Sequence, residues 1–171
     1  MIEGKSPYYK YTPANVLAND NFKLYWNRSI FTDKTILFNR PDITFINKKT
    51  RNIFLIDIAV PNTHNLAKTI TDKQNRYQEL ANGICAMWKQ NTAQVIPLVI
   101  SSTGVIPKSL KRLNLHPNTY IQMQKICNSW NMFNCKKLFK WQIRPPSLVL
   151  LITFPRIGEC FPAEAEKWEI R

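Results

Sequence analysis

Arg40-Pro-Asp-Ile-Thr-Phe-Ile-Asn-Lys-Lys-Thr-Arg-Asn-Ile-Phe-Leu-Ile-Asp-Ile-Ala-Val60 reads as two strands around a polar turn, Lys48-Lys-Thr-Arg51. If residue 47 pairs with 52, an antiparallel hairpin sets 46 against 53, 44 against 55 and 42 against 57. Asp42 and Asp57 then lie opposite each other on one face, with Cβ atoms roughly 4.5–5.5 Å apart. Like charges so placed are destabilising unless something positive sits between them. A divalent cation is the obvious candidate.

The rest of the chain is strongly basic. Its 171 residues suffice for one ordinary domain with a core, and its net charge is +13. Residues 145–171 hold three cations and four acids, a charge of −1, which leaves +14 and only seven acids on 1–144. An excess of this size points to a polyanionic partner, most often nucleic acid. The alternative is a basic surface kept for solubility. Cys85, Cys127, Cys135 and Cys160, with His64 and His116, match no zinc spacing and read as buried free thiols in a reducing compartment. The longest apolar run, Leu148 to Phe154, is far short of the about 20 residues that span a bilayer. With no secretory leader legible, the expectation is a soluble intracellular protein with no membrane partner.

Outward from the hairpin, periodicity predicts the neighbouring elements. Residues 1–20 read as loop, with a short helix near Ala14–Ala18. Phe22, Leu24 and Trp26 alternate with Lys23, Tyr25 and Asn27, the pattern of a half-buried strand. After the turn at Pro61, an amphipathic helix is expected over 64–91, with Leu66, Ile70, Tyr77, Leu80, Ile84, Met87 and Trp88 on its apolar stripe. The apolar run over 93–101 suits a central strand covered on both faces, although Pro97 fits an edge better. A short helix should open at Pro107, and a longer one is predicted over 119–139. Beyond Arg144, Pro145-Pro146 and the charge inversion set off a tail. The expected organisation is therefore a domain over 1–144 and a tail over 145–171.

One residue breaks the helical stripe. Lys73 lies on the buried face, with Tyr77 one turn on. A lysine on a packed face needs a partner, and the helix after a strand must pack back onto the sheet, toward the two acids. Metal-dependent phosphodiester cleavage uses these parts. Carboxylate oxygens hold Mg²⁺ or Mn²⁺, which fill their other positions with water and phosphate. The metal polarises the phosphate, and a lysine stabilises developing charge. Tyr77 would position the lysine or contact the phosphate. Each residue also has a plainer reading: Asp42 as a strand start, Tyr77 as core, and Asp57–Lys73 as a structural ion pair.

These residues resemble a variant of the PD-(D/E)xK nuclease superfamily: Pro41-Asp42, fourteen intervening residues, then Asp57. The lysine usual two positions later is replaced by Ala59. In the restriction-like endonuclease domain of non-LTR retrotransposons the lysine moves to the following helix, and Lys73 and Tyr77 in Asp72-Lys-Gln-Asn-Arg-Tyr-Gln-Glu-Leu80 match that variant. Tyr25-Trp-Asn-Arg-Ser-Ile, Leu55-Ile-Asp-Ile-Ala-Val-Pro and Val95-Ile-Pro-Leu-Val-Ile-Ser-Ser-Thr-Gly-Val-Ile-Pro extend the likeness, to the C-terminal end of insect retroelement-derived proteins, over about residues 8–140.

The resemblance implies an α/β fold with a restriction-endonuclease-like αβββαβ core, here followed by further C-terminal helices. It implies Mg²⁺-dependent nicking of double-stranded DNA, a nick that in an intact element primes reverse transcription of the element's RNA. It assigns Asp42 and Asp57 as metal ligands, Lys73 as the catalytic lysine and Tyr77 as its support. Lys34, Arg40, Lys68 and Arg76 flank them in sequence and would hold the DNA backbone. The acid often carried on the family's first helix is not assignable, with Asp20 and Asp33 as candidates. No polymerase motif or zinc knuckle is legible, so the chain resembles a detached endonuclease domain, expected in the nucleus with its DNA. The competing readings are an inactive remnant that binds nucleic acid by charge, and a protein–protein adaptor or fragment that barely folds.

Overall fold

Residues 15–111, with Ile121, Gln124, Lys125, Glu169 and Ile170, are described by the structure, a computed structural model. Four strands precede a long helix: β1 (Val16–Ala18), β2 (Phe22–Trp26), β3 (Ile43–Asn47) and β4 (Asn52–Ala59). A 3-10 turn at Thr63–Asn65 leads into α1 (Leu66–Met87), followed by β5 (Thr92–Val99), α2 (Lys108–Lys111) and β6 (Glu169–Ile170). The strand order is β5-β4-β3-β2-β1-β6, with β4 and β5 parallel and the other pairs antiparallel. The mixed sheet with a packed helix is an α/β fold.

The central hairpin has the expected register: Asn47 faces Asn52, Thr44 faces Leu55 and Ile43 faces Ile56. Its turn is closed by the Asn47 side-chain oxygen, which accepts the Thr50 N–H at 3.1 Å, and by Arg51 at φ 54. Asparagine suits this work because its short amide reaches backbone two or three residues on. Asn19 does the same between β1 and β2, where its side-chain oxygen accepts the N–H of Asn21 and of Phe22 at 3.0 and 2.7 Å.

The sheet has a core on each face. Leu24, Ile43, Phe45, Ile56, Ile58, Leu98 and Ile100 pack on one, with Leu110 beneath. On the other, Ile53 and Leu55 meet Tyr77, Leu80, Ala81 and Ile84 of α1. Fully burying one such aliphatic side chain contributes about 1.5–3 kcal/mol. The β2–β3 connection joins the helix-side core through buried Ile30 and Ile36.

Three expectations are corrected. The short helix near Ala14–Ala18 is instead strand β1 over its described part, because Leu17 pairs with Leu24 and is buried, and so short a helix cannot sustain itself. Among the described residues, the run over 93–101 forms β5, ending at Val99, at the sheet's edge and not its centre. It is apolar on both sides because Ala93 and Val95 meet α1's core while Ile96, Leu98 and Ile100 meet the other, and Pro97 lacks the N–H that a second neighbour would need.

The long helix also stops short of Asn91. Trp88 caps it and Lys89 turns left-handed at φ 49. Lys89 N–H then donates to Ala86 C=O at 3.3 Å and Gln90 N–H to Cys85 C=O at 3.0 Å, the paired bonds of a Schellman ending. The helix before the first strand of an αβββαβ core has no counterpart in 15–21. The predicted helix over 119–139 is represented by helical Ile121, Gln124 and Lys125. The remainder of that helix, Cys127, Cys135, Cys160 and the boundary at 144 lie outside the described residues.

Candidate active site

Asp42 sits one residue before β3, where the hairpin ladder continues toward Asp57 in β4. Two backbone contacts fix it there. Its carbonyl accepts the Asn27 N–H at 2.8 Å, and its carboxylate Oδ2 accepts the Ile58 N–H at 2.9 Å. Asn27 can make the first because it adopts the left-handed conformation, φ 47, which asparagine tolerates better than most residues. Strand alternation puts Ile53, Leu55 and Asp57 on the α1 face. Ile53 and Leu55 fill the core there, and Asp57 stands at its end, 4% exposed.

Lys73 of α1 comes down onto this carboxylate. Its Nζ forms an ion pair with Asp57 Oδ2, a buried oxygen that has no other hydrogen-bond donor among the described residues. Burial pushes the Asp57 carboxyl above its usual range. The Lys73 ammonium opposes that shift, and the nearby Asp42 carboxylate adds to it. Desolvation wins because a carboxylate removed from water loses more than one partly hydrated ammonium returns. The expected hairpin geometry thus does place two like charges near each other, and the cation beside them in this structure is the lysine.

Tyr77, one turn further along α1, is buried and its hydroxyl donates to the Arg40 carbonyl at 3.2 Å. Burial, then the Asp57 and Asp42 carboxylates, push it up to about 12, so it keeps its proton at neutral pH. The hydroxyl thereby ties the helix to the backbone that leads through Pro41 into Asp42.

The four flanking cations are all exposed. Arg40 turns its Nε to the Asn27 carbonyl and side-chain oxygens at 3.0 and 3.1 Å. Arg76 lies over the Phe38 ring, 4.7 Å from its centroid. Lys34 is on the β2–β3 connection and Lys68 in the first turn of α1; among the described residues neither forms an ion pair with Asp42 or Asp57. Asp20 is excluded as a third acid, because the β1–β2 turn adjoins Phe22 and Asn47 at the sheet end opposite Asp42. Asp33 is exposed, and its Oδ1 accepts the Lys34 N–H at 3.1 Å.

Among the described residues no three His, Cys, Asp or Glu side chains come together. The donor set is therefore two carboxylates, one carrying a single backbone N–H and the other a single lysine. That suits a hard divalent ion that keeps most of its coordination sphere in water and phosphate, and it suits neither zinc nor a closed calcium cage.

Sequence reasoning missed the Tyr77–Arg40 bond and the Asn27–Asp42 bond. Both depend on tertiary approach of a carbonyl, which leaves no trace in residue type. The tolerance of Asn27 for positive φ was the one available signal. Among the described residues no helix is long and apolar enough to cross a membrane. No family model matches the chain, and no curated protein matches it.

Proposed function

We propose that the chain is a metal-dependent DNA endonuclease that hydrolyses phosphodiester bonds and nicks one strand of a duplex. The observation that supports it most is the convergence of Asp42, Asp57 and Lys73 at one end of the sheet, on a face otherwise closed by apolar packing. Asp42 and Asp57 would hold Mg²⁺ or Mn²⁺, which supplies Lewis-acid polarisation of the phosphate. Lys73, on a rigid helix, carries a positive charge to the place where negative charge develops on phosphate oxygens in the transition state. Tyr77 keeps Asp42 in position through the Arg40 carbonyl. The +13 chain supplies the long-range attraction to duplex DNA. The resemblance to retrotransposon endonucleases fits this reading and adds a use for the nick, the priming of reverse transcription from element RNA, with the nucleus as its place.

A second reading draws on the same ion pair. Lys73 already neutralises Asp57, so a remnant that binds nucleic acid by charge and cuts nothing would keep this arrangement as a structural element. Asp57→Asn separates the two. It is nearly isosteric, and the endonuclease reading expects unchanged fold and DNA affinity in EDTA with loss of nicking in Mg²⁺. Nicking that persists at the wild-type rate would remove Asp57 from the chemistry. Binding that falls steeply with salt, with no product at any metal concentration, would support the remnant.

A further inference from the structure

The β2–β3 connection, residues 27–42, carries more apolar surface than its fold uses. Its underside is satisfied: Ile30 and Ile36 are buried, and Ile36 Cδ1 rests 3.4 Å from where a Cβ on Gly83 would stand. The Ile30 N–H donates to the Asn39 carbonyl at 2.8 Å, which closes residues 31–38 into a defined loop. The Thr32 hydroxyl donates to the Lys34 carbonyl at 2.6 Å and stiffens its turn. Yet Phe31 and Leu37 are 81% and 84% exposed, and Phe38 is 42% exposed. Single exposed apolar residues need no explanation, but three in one short, internally braced loop mark a contact surface.

The surroundings of this patch select its partner. Arg28, Lys34 and Arg40 of the same connection and Arg76 of α1 are exposed, against Asp33 alone among acids of the loop before Asp42. The Arg76 guanidinium lies over the Phe38 ring, 4.7 Å from its centroid, so aromatic surface and positive charge stand side by side. A nucleotide whose base has left the stack presents the complement, an apolar π-face and a phosphate a few ångströms away. The connection that carries these residues also leads into Asp42. Arg76 neighbours Tyr77 in α1, and the loop's own return segment passes through Arg40, bound by Tyr77, into Asp42.

We infer that this loop is a second contact surface for nucleic acid, which holds unstacked bases against Phe31, Leu37 and Phe38 beside the carboxylate site. It rests on the nucleic-acid reading above and adds a substrate preference: duplex DNA interrupted by an unpaired stretch is favoured over continuous duplex. Insertion of apolar side chains at a base step has an energetic cost in a perfect duplex that an existing interruption removes.

The test is fluorescence anisotropy of the full chain in EDTA, with a fluorescein-labelled continuous duplex and the same duplex carrying a short unpaired stretch. Wild type and Phe31→Ala/Leu37→Ala are compared, with thermal unfolding as the control for fold. The expected result is a wild-type preference for the interrupted duplex. The double variant should lose roughly 5- to 150-fold in affinity for that probe, the usual range for removing base–aromatic stacking, and keep its affinity for continuous duplex. Equal weakening on both probes overturns the inference, because the loop then serves general affinity. No weakening on either also overturns it and leaves the patch to a protein partner. Metal-dependent nicking measured in parallel separates this from the parent reading. Preference without nicking removes the hydrolase and keeps the loop; nicking without preference removes the loop alone.

Discussion

Replacing Lys73 by methionine removes the cation from Asp57 while keeping the length of the side chain. Asp57 is 4% exposed, and among the described residues its Oδ2 has no other donor. Breaking a fully buried pair by deleting one partner costs roughly 3–5 kcal/mol, because the remaining charge is left uncompensated. Lys73 retains 17% exposure, so the pair is not fully dry and the lower end applies. The expected loss is about 3 kcal/mol at neutral pH, large against the roughly 5–15 kcal/mol of a whole domain.

The pH dependence of that loss identifies its cause. The folded-state pKa of Asp57 already lies above its ordinary 3.8, and loss of Lys73 raises it further. A group raised on folding contributes stability that is fully present below the unfolded value and is lost as pH rises through the folded one. The Lys73→Met deficit should therefore nearly vanish in acid near 3.8 and grow toward neutral pH, where a tenfold bias toward the protonated carboxyl corresponds to about 1.4 kcal/mol. Urea unfolding followed by tryptophan fluorescence across a pH series measures it. Adding Asp57→Asn to Lys73→Met should recover most of the loss. A deficit under about 1 kcal/mol, or one that does not change with pH, would refute the reasoning, since that is the behaviour of an exposed pair.

Three further substitutions probe other parts of the structure. Lys89→Gly should stabilise by about 0.5–1 kcal/mol, because Lys89 holds a left-handed conformation, φ 49, that disfavours a side chain more than glycine's flexibility costs; a urea midpoint at or below wild type contradicts this. Gly83→Ala should gain about 0.5–1 kcal/mol from helix propensity, since the new methyl meets the movable Ile36 Cδ1 at 3.4 Å, and loss of stability would show the β2–β3 loop to be tighter against α1. Tyr77→Phe removes the bond to the Arg40 carbonyl and should cost about 1 kcal/mol of stability. It should also slow nicking at unchanged DNA affinity, and a parallel fall in affinity would move Tyr77 from positioning to binding.

The hairpin was legible because a two-residue side-chain period and a short polar turn leave few registers, and only one puts Ile43, Phe45, Ile56 and Ile58 on a common face. Asp57 and Lys73 stood out as charges in apolar patterns, and the structure pairs them. Less legible were features set by a single conformation. The end of α1 turns on Lys89 in a region where glycine is expected, so the apolar stripe reads on past it. β1 was hidden because three residues cannot show a period, and its strand state comes from pairing with β2. The edge position of β5 follows from strand order, for which Pro97 was the sole local hint. Lys34, Arg40, Lys68 and Arg76 were grouped by nearness in sequence. The fold sends Arg40 to Asn27 and Arg76 to Phe38, because a guanidinium takes the nearest carbonyl or ring face.

Hydrolysis of DNA by Asp42, Asp57 and Lys73 with a divalent metal is the proposed activity. Its most direct test is conversion of supercoiled plasmid to the open circle by the full chain in Mg²⁺, in Mn²⁺ and in EDTA, beside Asp57→Asn and Lys73→Ala. The expected result is nicking in Mg²⁺ or Mn²⁺, none in EDTA, and loss in both variants while each still binds DNA. A folded wild-type chain that binds DNA and yields no open circle in either metal would contradict it, and Asp57–Lys73 would then be a structural ion pair in a basic binding module.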